Sequence, residues 1–169
     1  AMGRFVDSLG GKYITAEDMN IGIEDLNNVR RQTRWVTGLS LSDGGSGNPS
    51  PYTARGCFMG MKAVLEEAYG SASFQGRHVL LQGVGAVGGR LAELCQEAGA
   101  KVTICDINEA RVKELCAKHG FQSVPDARHL EVACDVYAPC ARGATINDAT
   151  IPQLKCKAIA GCANNQLLE

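Results

Sequence analysis

Glycines at the first, third and sixth places of Gly83-Val84-Gly85-Ala86-Val87-Gly88 give this sequence its clearest chemical reading. In such a turn the first glycine allows the tight bend, the second lets a pyrophosphate approach the backbone, and the third lets helix and strand pack closely. The helix that follows offers free N–H groups and a partial positive charge to the phosphates. Asp106 lies at the end of the next apolar run, where a carboxylate accepts hydrogen bonds from the hydroxyls of an adenosine ribose. Its charge would repel a 2′-phosphate, and Ile107 and Asn108 beside it bring no arginine to reverse that. NAD is therefore expected in preference to NADP. Two other readings of the same residues stay open. The glycines serve a plain tight connection in a domain that binds something else or nothing, or they hold S-adenosylmethionine, whose domains also pair a glycine-rich turn with an acidic strand end.

The turn needs a strand before it and a helix after it, and the hydrophobic pattern supplies both. His78-Val79-Leu80-Leu81-Gln82 is a short apolar run, read as a buried parallel strand. Beyond the glycines, Val87, Leu91, Leu94, Cys95 and Ala98 recur at helical spacing, and Gly99 is placed to end that helix. Lys101–Cys105 reads as the next strand, and Asn108 caps a helix that runs to His119 and stops at Gly120. Strands at Gln122–Val124, Asp135–Ala138 and Lys157–Ala160 continue the alternation, which predicts a Rossmann-like, doubly wound parallel α/β sheet. Turn formers crowd residues 42–51 and separate this region from about forty residues of weak periodicity. There the pattern predicts a strand at Lys12–Thr15, a short helix near Glu24–Arg31 and a strand around Trp35–Thr37. A helix from about Thr53 to Ala68 turns Phe58, Met61, Val64 and Leu65 to one face. The expected boundary divides residues 1–45 from residues 46–169.

Composition sets the outer limits. The 169 residues are 45% hydrophobic and 21% charged, as in a globular rather than a disordered chain. Seventeen basic and eighteen acidic residues leave a formal net charge of -1, which gives no footprint for nucleic acid or an anionic membrane. No apolar run approaches spanning length and no signal-peptide pattern opens the chain, so a cytoplasmic protein is expected. Eight cysteines without a CxxC pair or a nearby histidine read as reduced, mostly structural thiols. No metal is expected.

Six segments carry a resemblance. Gly3-Arg4-Phe5-Val6, Tyr13-Ile14-Thr15-Ala16-Glu17-Asp18, Ser46-Gly47-Asn48-Pro49-Ser50-Pro51, Gln82-Gly83-Val84-Gly85, Tyr137-Ala138-Pro139-Cys140-Ala141 and Ala163-Asn164-Asn165-Gln166-Leu167 occur in one order along the chain. In these the sequence resembles the Glu/Leu/Phe/Val amino-acid dehydrogenases, above all those acting on leucine and phenylalanine. The segments around Asn48 and Asn164 are far more specific than the glycine turn. The likeness extends over nearly all of the chain.

The resemblance implies NAD-dependent oxidative deamination of an L-amino acid to a 2-oxo acid and ammonia, in a cleft between a catalytic and a nucleotide domain. By the match, Asp18 is the proton carrier; from its local sequence alone it is a helix cap or a solvated carboxylate. Thr53 matches a threonine on the nicotinamide side of the cofactor and also suits the start of its helix. Cys140 and Ala141 follow a strand end, where such domains place adenosine-side contacts. Asn164 and Asn165 follow the last strand on the ligand-facing edge of the sheet, where their amides can bond the nicotinamide ribose or carboxamide, against a plain turn as the alternative. Met19-Asn20-Ile21-Gly22 departs from the family pattern after the aspartate. The family's glycine-rich segment with its catalytic lysine, and the second lysine that holds the substrate carboxylate, are not found in these residues. Residues 1–45 are accordingly expected to be the tail of a catalytic domain and 46–169 an NAD-binding domain incomplete at its C-terminal end. Deamination is expected of the complete enzyme, with NAD and an amino acid as its ligands, and not of this chain alone. A stand-alone, non-catalytic dinucleotide-binding or assembly module is the alternative. Apolar faces built for absent partners would favour a homo-oligomer.

Overall fold

Val6, Leu26 and Leu39 are the buried apolar residues around which the first part of the chain folds. The structure, a computed structural model, describes residues 1–18 and 21–168. It divides into two compact units, Ala1–Pro49 and Ser50–Glu169. In the first, helix α1 (Met2–Ser8) packs on helix α2 (Ile23–Arg30). Gly3 permits the approach, since a Cβ there would lie 2.7 Å from Gln32 Cβ and 2.9 Å from the Val29 carbonyl oxygen. The strands expected at Lys12–Thr15 and Trp35–Thr37 reduce to one parallel bridge between Thr15 and Val36. Two backbone bonds hold it, Thr15 N–H to the Trp35 carbonyl at 3.1 Å and Thr37 N–H to the Thr15 carbonyl at 2.8 Å. Tyr13 and Ile14 are both exposed, so the segment has no alternating buried face that would extend the pairing.

The second unit begins with helix α3 (Ser50–Tyr69). It starts three residues before the expected Thr53, because Pro51 has the φ of a first helical turn and needs no N–H there. Strand β1 (His78–Gln82), helix α4 (Ala86–Glu97), strand β2 (Lys101–Cys105) and helix α5 (Glu109–His119) follow as the alternation predicts. Asn108 caps α5 through its side chain, which accepts from Arg111 N–H, and Gly120 ends it with a left-handed φ of 72°. Strands β3 (Gln122–Ser123), β4 (Ala133–Pro139) and β5 (Lys155–Ile159) complete a five-stranded parallel sheet in the order β3-β2-β1-β4-β5. The order reverses beside β1, which defines the crevice at the C-terminal ends of β1 and β4.

The two faces of the sheet are closed differently. Val79, Leu81, Val102, Ile104, Val136 and Ala138 point to one side and join α3, α4 and α5 in the main core. Phe58 of α3 stacks on Phe74 at 4.8 Å within it. The alternate residues Leu80 and Tyr137, with Ile146, form a smaller cluster on the other side. The chain there makes only short 3-10 turns, at Asp126–Glu131 and Ile151–Gln153. All eight cysteines are free thiols. Among the described residues no helix is long and apolar enough to cross a membrane.

At the start of the sheet Asp135 ties β4 to β1. Its carboxylate accepts from His78 N–H at 2.7 Å and from Arg77 at 3.3 Å, while the Arg77 guanidinium lies 3.9 Å over the Tyr69 ring. Burial pushes the carboxyl up, but the His78 N–H, then the hydrogen-bonded Tyr69 and Arg77, outweigh it and hold it below its ordinary value. A carboxyl lowered in the folded state adds stability that is full above its unfolded value, near pH 4, and is lost as pH falls through the folded value. Urea unfolding is therefore expected to show wild type losing stability below about pH 4. Asp135→Asn is expected to be less stable at pH 7 and to have a flatter profile over the same acid range.

Candidate functional site

Gly83, at the end of β1, has a φ of 93°, a region that glycine enters without strain. Space forbids a side chain there as well: a Cβ would lie 2.7 Å from Ala141 Cβ and 2.8 Å from the Ala141 nitrogen. A Cβ on Gly88 would lie 2.1 Å from the Gly83 carbonyl oxygen and 3.1 Å from Cys140 Cβ. The first and third glycines of the turn are thus fixed by the protein's own packing. Gly85 is different. Its φ is -64°, it is exposed, and a Cβ placed on it meets nothing within 4 Å. It is also the N-cap of α4, with no side chain to cap the helix. The first N–H groups of α4 therefore open outward at an uncapped end, beside the exposed Ala86 and the half-buried Val87.

Asp106 follows the last residue of β2 and holds this turn in place. Its Oδ2 accepts from Val84 N–H at 2.7 Å and its Oδ1 from Asn108 N–H at 2.8 Å. Each carboxylate oxygen keeps a further lone pair for a ligand hydroxyl. Ile107 projects into solvent and is 75% exposed. Arg111, which the sequence reading passed over, reaches back from α5 so that its Nε lies 3.5 Å from the Val84 carbonyl oxygen. Its charge is matched by Glu114 at 2.8 Å.

Cys140 and Ala141 continue from β4 and close over the turn, with Cys140 N–H donating to the Gln82 carbonyl at 2.7 Å. The structure so brings Gly83, Gly88, Asp106, Cys140 and Ala141 to one edge of the sheet. Asn164 and Asn165 lie beyond β5 at the same edge, where Ala163 N–H donates to the Pro139 carbonyl and Ala144 N–H to that of Asn165. Both asparagines are exposed, and Asn165 has a left-handed φ of 48°. Thr53 is exposed in the first turn of α3 and, since that helix begins at Ser50, is not its cap. One turn further on, the Cys57 thiol joins Cys162 and Cys140. Thiol hydrogen bonding to Cys162 and then burial raise both Cys57 and Cys140, while the bonds from Cys140 and Cys57 lower Cys162.

Asp18 belongs to the first unit. It is exposed and lies at the rim of a cleft of about 540 Å³ with Tyr13, Glu17 and Asp25. Met19 and Asn20, which depart from the family pattern, lie outside the described residues. A second group of donors was not visible from spacing. Cys105, Asp126 and His129 bring one ligand atom each within 4.8 Å of one another. Cys105, absent from any motif and far from histidine in the chain, meets one in the fold. Burial, then the charges of Asp126 and Asp106, push its thiol up to about 12.

A parallel sheet whose order reverses at a strand ending in this glycine turn is a Rossmann-like arrangement. A sequence model described as Glutamate/Leucine/Phenylalanine/Valine dehydrogenase matches residues 44–114. The chain is 48% identical over 169 residues to the leucine dehydrogenase of Geobacillus stearothermophilus, covering 100% of this chain and 46% of that protein. It is 42% identical over 170 residues to the phenylalanine dehydrogenase of Thermoactinomyces intermedius, covering 99% and 46%. The solved structure of L-tryptophan dehydrogenase from Nostoc punctiforme matches with a TM-score of 0.75 at 34% identity, covering 99% of this chain and 47% of that one. The chain belongs to the Glu/Leu/Phe/Val dehydrogenase family. It spans about half the length of the curated relatives it matches.

The three glycines separate under substitution. Gly88→Ala forces a backbone displacement and is expected to cost about 1–3 kcal/mol, read as a lower urea midpoint. Gly85→Ala meets no atom and is expected to cost less than about 1 kcal/mol, the loss of a glycine N-cap.

Proposed function

We propose that this chain is the NAD-binding portion of an amino-acid dehydrogenase that oxidatively deaminates an L-amino acid of the leucine, phenylalanine or valine type to a 2-oxo acid and ammonia. The observation that carries the reading is the open space at Gly85. Gly83 and Gly88 are required by packing, whereas nothing among the described residues requires the middle glycine. A ligand that must touch the backbone does require it, and the uncapped N-terminus of α4 favours an anionic one. The residues present fit a dinucleotide. Ala86, Val87 and Gly88 carry the N–H groups that face a pyrophosphate, and the Asp106 carboxylate takes the adenosine ribose hydroxyls. Cys140 and Ala141 border the adenosine side, with Ile107 as an apolar surface next to Asp106. Thr53, Asn164 and Asn165 are assigned to the nicotinamide end. When bound, NAD supplies the acceptor for the hydride of the substrate α-carbon. Asp18 is the proposed proton carrier of the complete enzyme.

The names of the matched relatives support the amino-acid substrate class. Turnover is assigned to the complete enzyme, because the chain spans about half the length of the relatives it matches. The Asp106 charge supports NAD over NADP, and the pairing of Arg111 with Glu114 leaves that preference standing.

Calorimetric titration tests the reading. Saturable NAD binding is expected, with NADP weaker by about ten-fold or more, equivalent to about 1.4 kcal/mol. Asp106→Asn removes the charge and keeps an acceptor for only one of the Val84 and Asn108 N–H groups, and is expected to narrow the gap between the two cofactors. Gly85→Ala is expected to weaken NAD at least ten-fold, or by about 1.4 kcal/mol, in a protein of near wild-type stability. NAD binding untouched by Gly85→Ala and Asp106→Asn together would sink the assignment of this turn.

A further inference from the structure

On the sheet face away from α3 and α4, Gln82 of β1 and Cys105 of β2 stand side by side in register. The 3-10 turn Asp126–Glu131 lies over β1 at this end. Asp126 Oδ1 accepts from Gln82 Nε2 at 3.3 Å, and the His129 ring stacks on Tyr137 with centroids 5.7 Å apart. One thiol sulfur, one carboxylate oxygen and one imidazole nitrogen thereby come within 4.8 Å of each other. We propose that Cys105, Asp126 and His129 form a binding site for one divalent transition-metal cation of the zinc class, with Gln82 Oε1 or a bound water in the fourth position.

The donor types and their spacing fit that cation. Sulfur, imidazole nitrogen and carboxylate oxygen are the ligands zinc takes, at roughly 2.0–2.3 Å from the metal. Ligand atoms of a tetrahedral shell with those bonds stand roughly 3.3–3.8 Å apart, so a modest rotation of side chains closes the set. Calcium and magnesium, which take oxygen alone, do not suit a thiol and an imidazole.

An independent observation points into the same place. Gln82 is only 8% exposed, and its Oε1 is buried with no hydrogen-bond partner among the described residues although its Nε2 is bonded to Asp126. The Tyr137 hydroxyl, on the ring that stacks against His129, is also buried without a partner. The Gln82 oxygen, which can only accept, and the Tyr137 hydroxyl, which can accept or donate, are satisfied together by a cation and the water it carries. The site would fasten the turn after β3 to the end of β2, one residue before Asp106. A cation there has a cross-linking role, and the proposal assigns it no part in deamination.

Cobalt titration of the chelator-treated full chain tests this, because a thiolate-to-cobalt charge-transfer band reports sulfur coordination. One equivalent is expected to bind with that band, and zinc is expected to displace it. Cys105→Ala is expected to abolish the band, while Asp126→Asn and His129→Gln weaken binding at least ~10-fold. Zinc is also expected to raise the thermal midpoint of wild type and of Cys162→Ser, but not of Cys105→Ala. Asp126 and His129 sit on a surface turn, so their variants keep the test valid should Cys105→Ala fail to fold. A band that survives in Cys105→Ala, or that disappears in Cys162→Ser, would assign the metal to other thiols and overturn the proposal. So would the lack of saturable binding by cobalt and zinc alike.

Discussion

The contact between Gly83 and Gly88 is the constraint on which the rest of the second unit depends. Here the chain leaves β1, reverses, and starts α4 with the Gly88 backbone packed against the Gly83 carbonyl. No side chain fits at either position. Because the two backbones touch, α4 lies low on the sheet, and Leu91, Ala92 and Cys95 are driven to complete burial in the main core. The same contact leaves the first turn of α4 pointing outward. Asp106 completes the arrangement from the next strand by taking the Val84 N–H, so that β2, the turn and α4 hold one geometry. Packing and the proposed ligand chemistry thus use the same residues, and the distinction between them falls on Gly85.

The second consequence of this layout is an unequal sheet. Helices α3, α4 and α5 fill one face with apolar side chains, and a period of two sends every other residue of β1, β2 and β4 to the opposite face. On that side Thr103 and Gln82 are buried polar groups in strands flanked by short turns. Burial of such groups is tolerable only with partners. Thr103 finds the His78 ring at 2.8 Å, and the Gln82 amide nitrogen finds Asp126. The Gln82 and Tyr137 oxygens do not find any among the described residues. This face is therefore where the chain's polar bookkeeping is incomplete, and where a further ligand has an energetic reason to bind.

How much of this the sequence disclosed follows from the range of the interactions involved. The elements β1, α4, β2 and α5 were legible because their periods are strong and their boundaries are marked by glycine and by the Asn108 cap, all local signals. The glycine turn and Asp106 were legible as a pair because the βα unit fixes their separation. The first unit was less so. Helix α1 is seven residues long and lacks a side-chain cap, and the bridge at Thr15 and Val36 has no alternating pattern behind it. The early start of α3 was masked by the apparent cap at Thr53, since a proline inside a turn-rich stretch reads equally as loop and as first helical turn. The set at Cys105, Asp126 and His129 had no local signal at all, being made by strand register and a crossing turn.

The end of β2 joins these themes in two consecutive residues. Cys105 points to the thinly covered face and Asp106 to the glycine turn, the ordinary alternation of a strand carried to its last positions. Each reaches an anionic or polar environment that its neighbour does not share. Asp106 is committed to backbone N–H groups and open to hydroxyls, whereas Cys105 lies buried among a carboxylate, an imidazole and an amide. The strand backbone between them transmits position. A shift of the turn after β3 that moved Cys105 would tilt Asp106 and loosen the Val84 bond, and with it the mouth of the glycine turn. Fastening that turn to β2 is therefore a way to keep the turn geometry fixed without adding any atom to the proposed dinucleotide site itself.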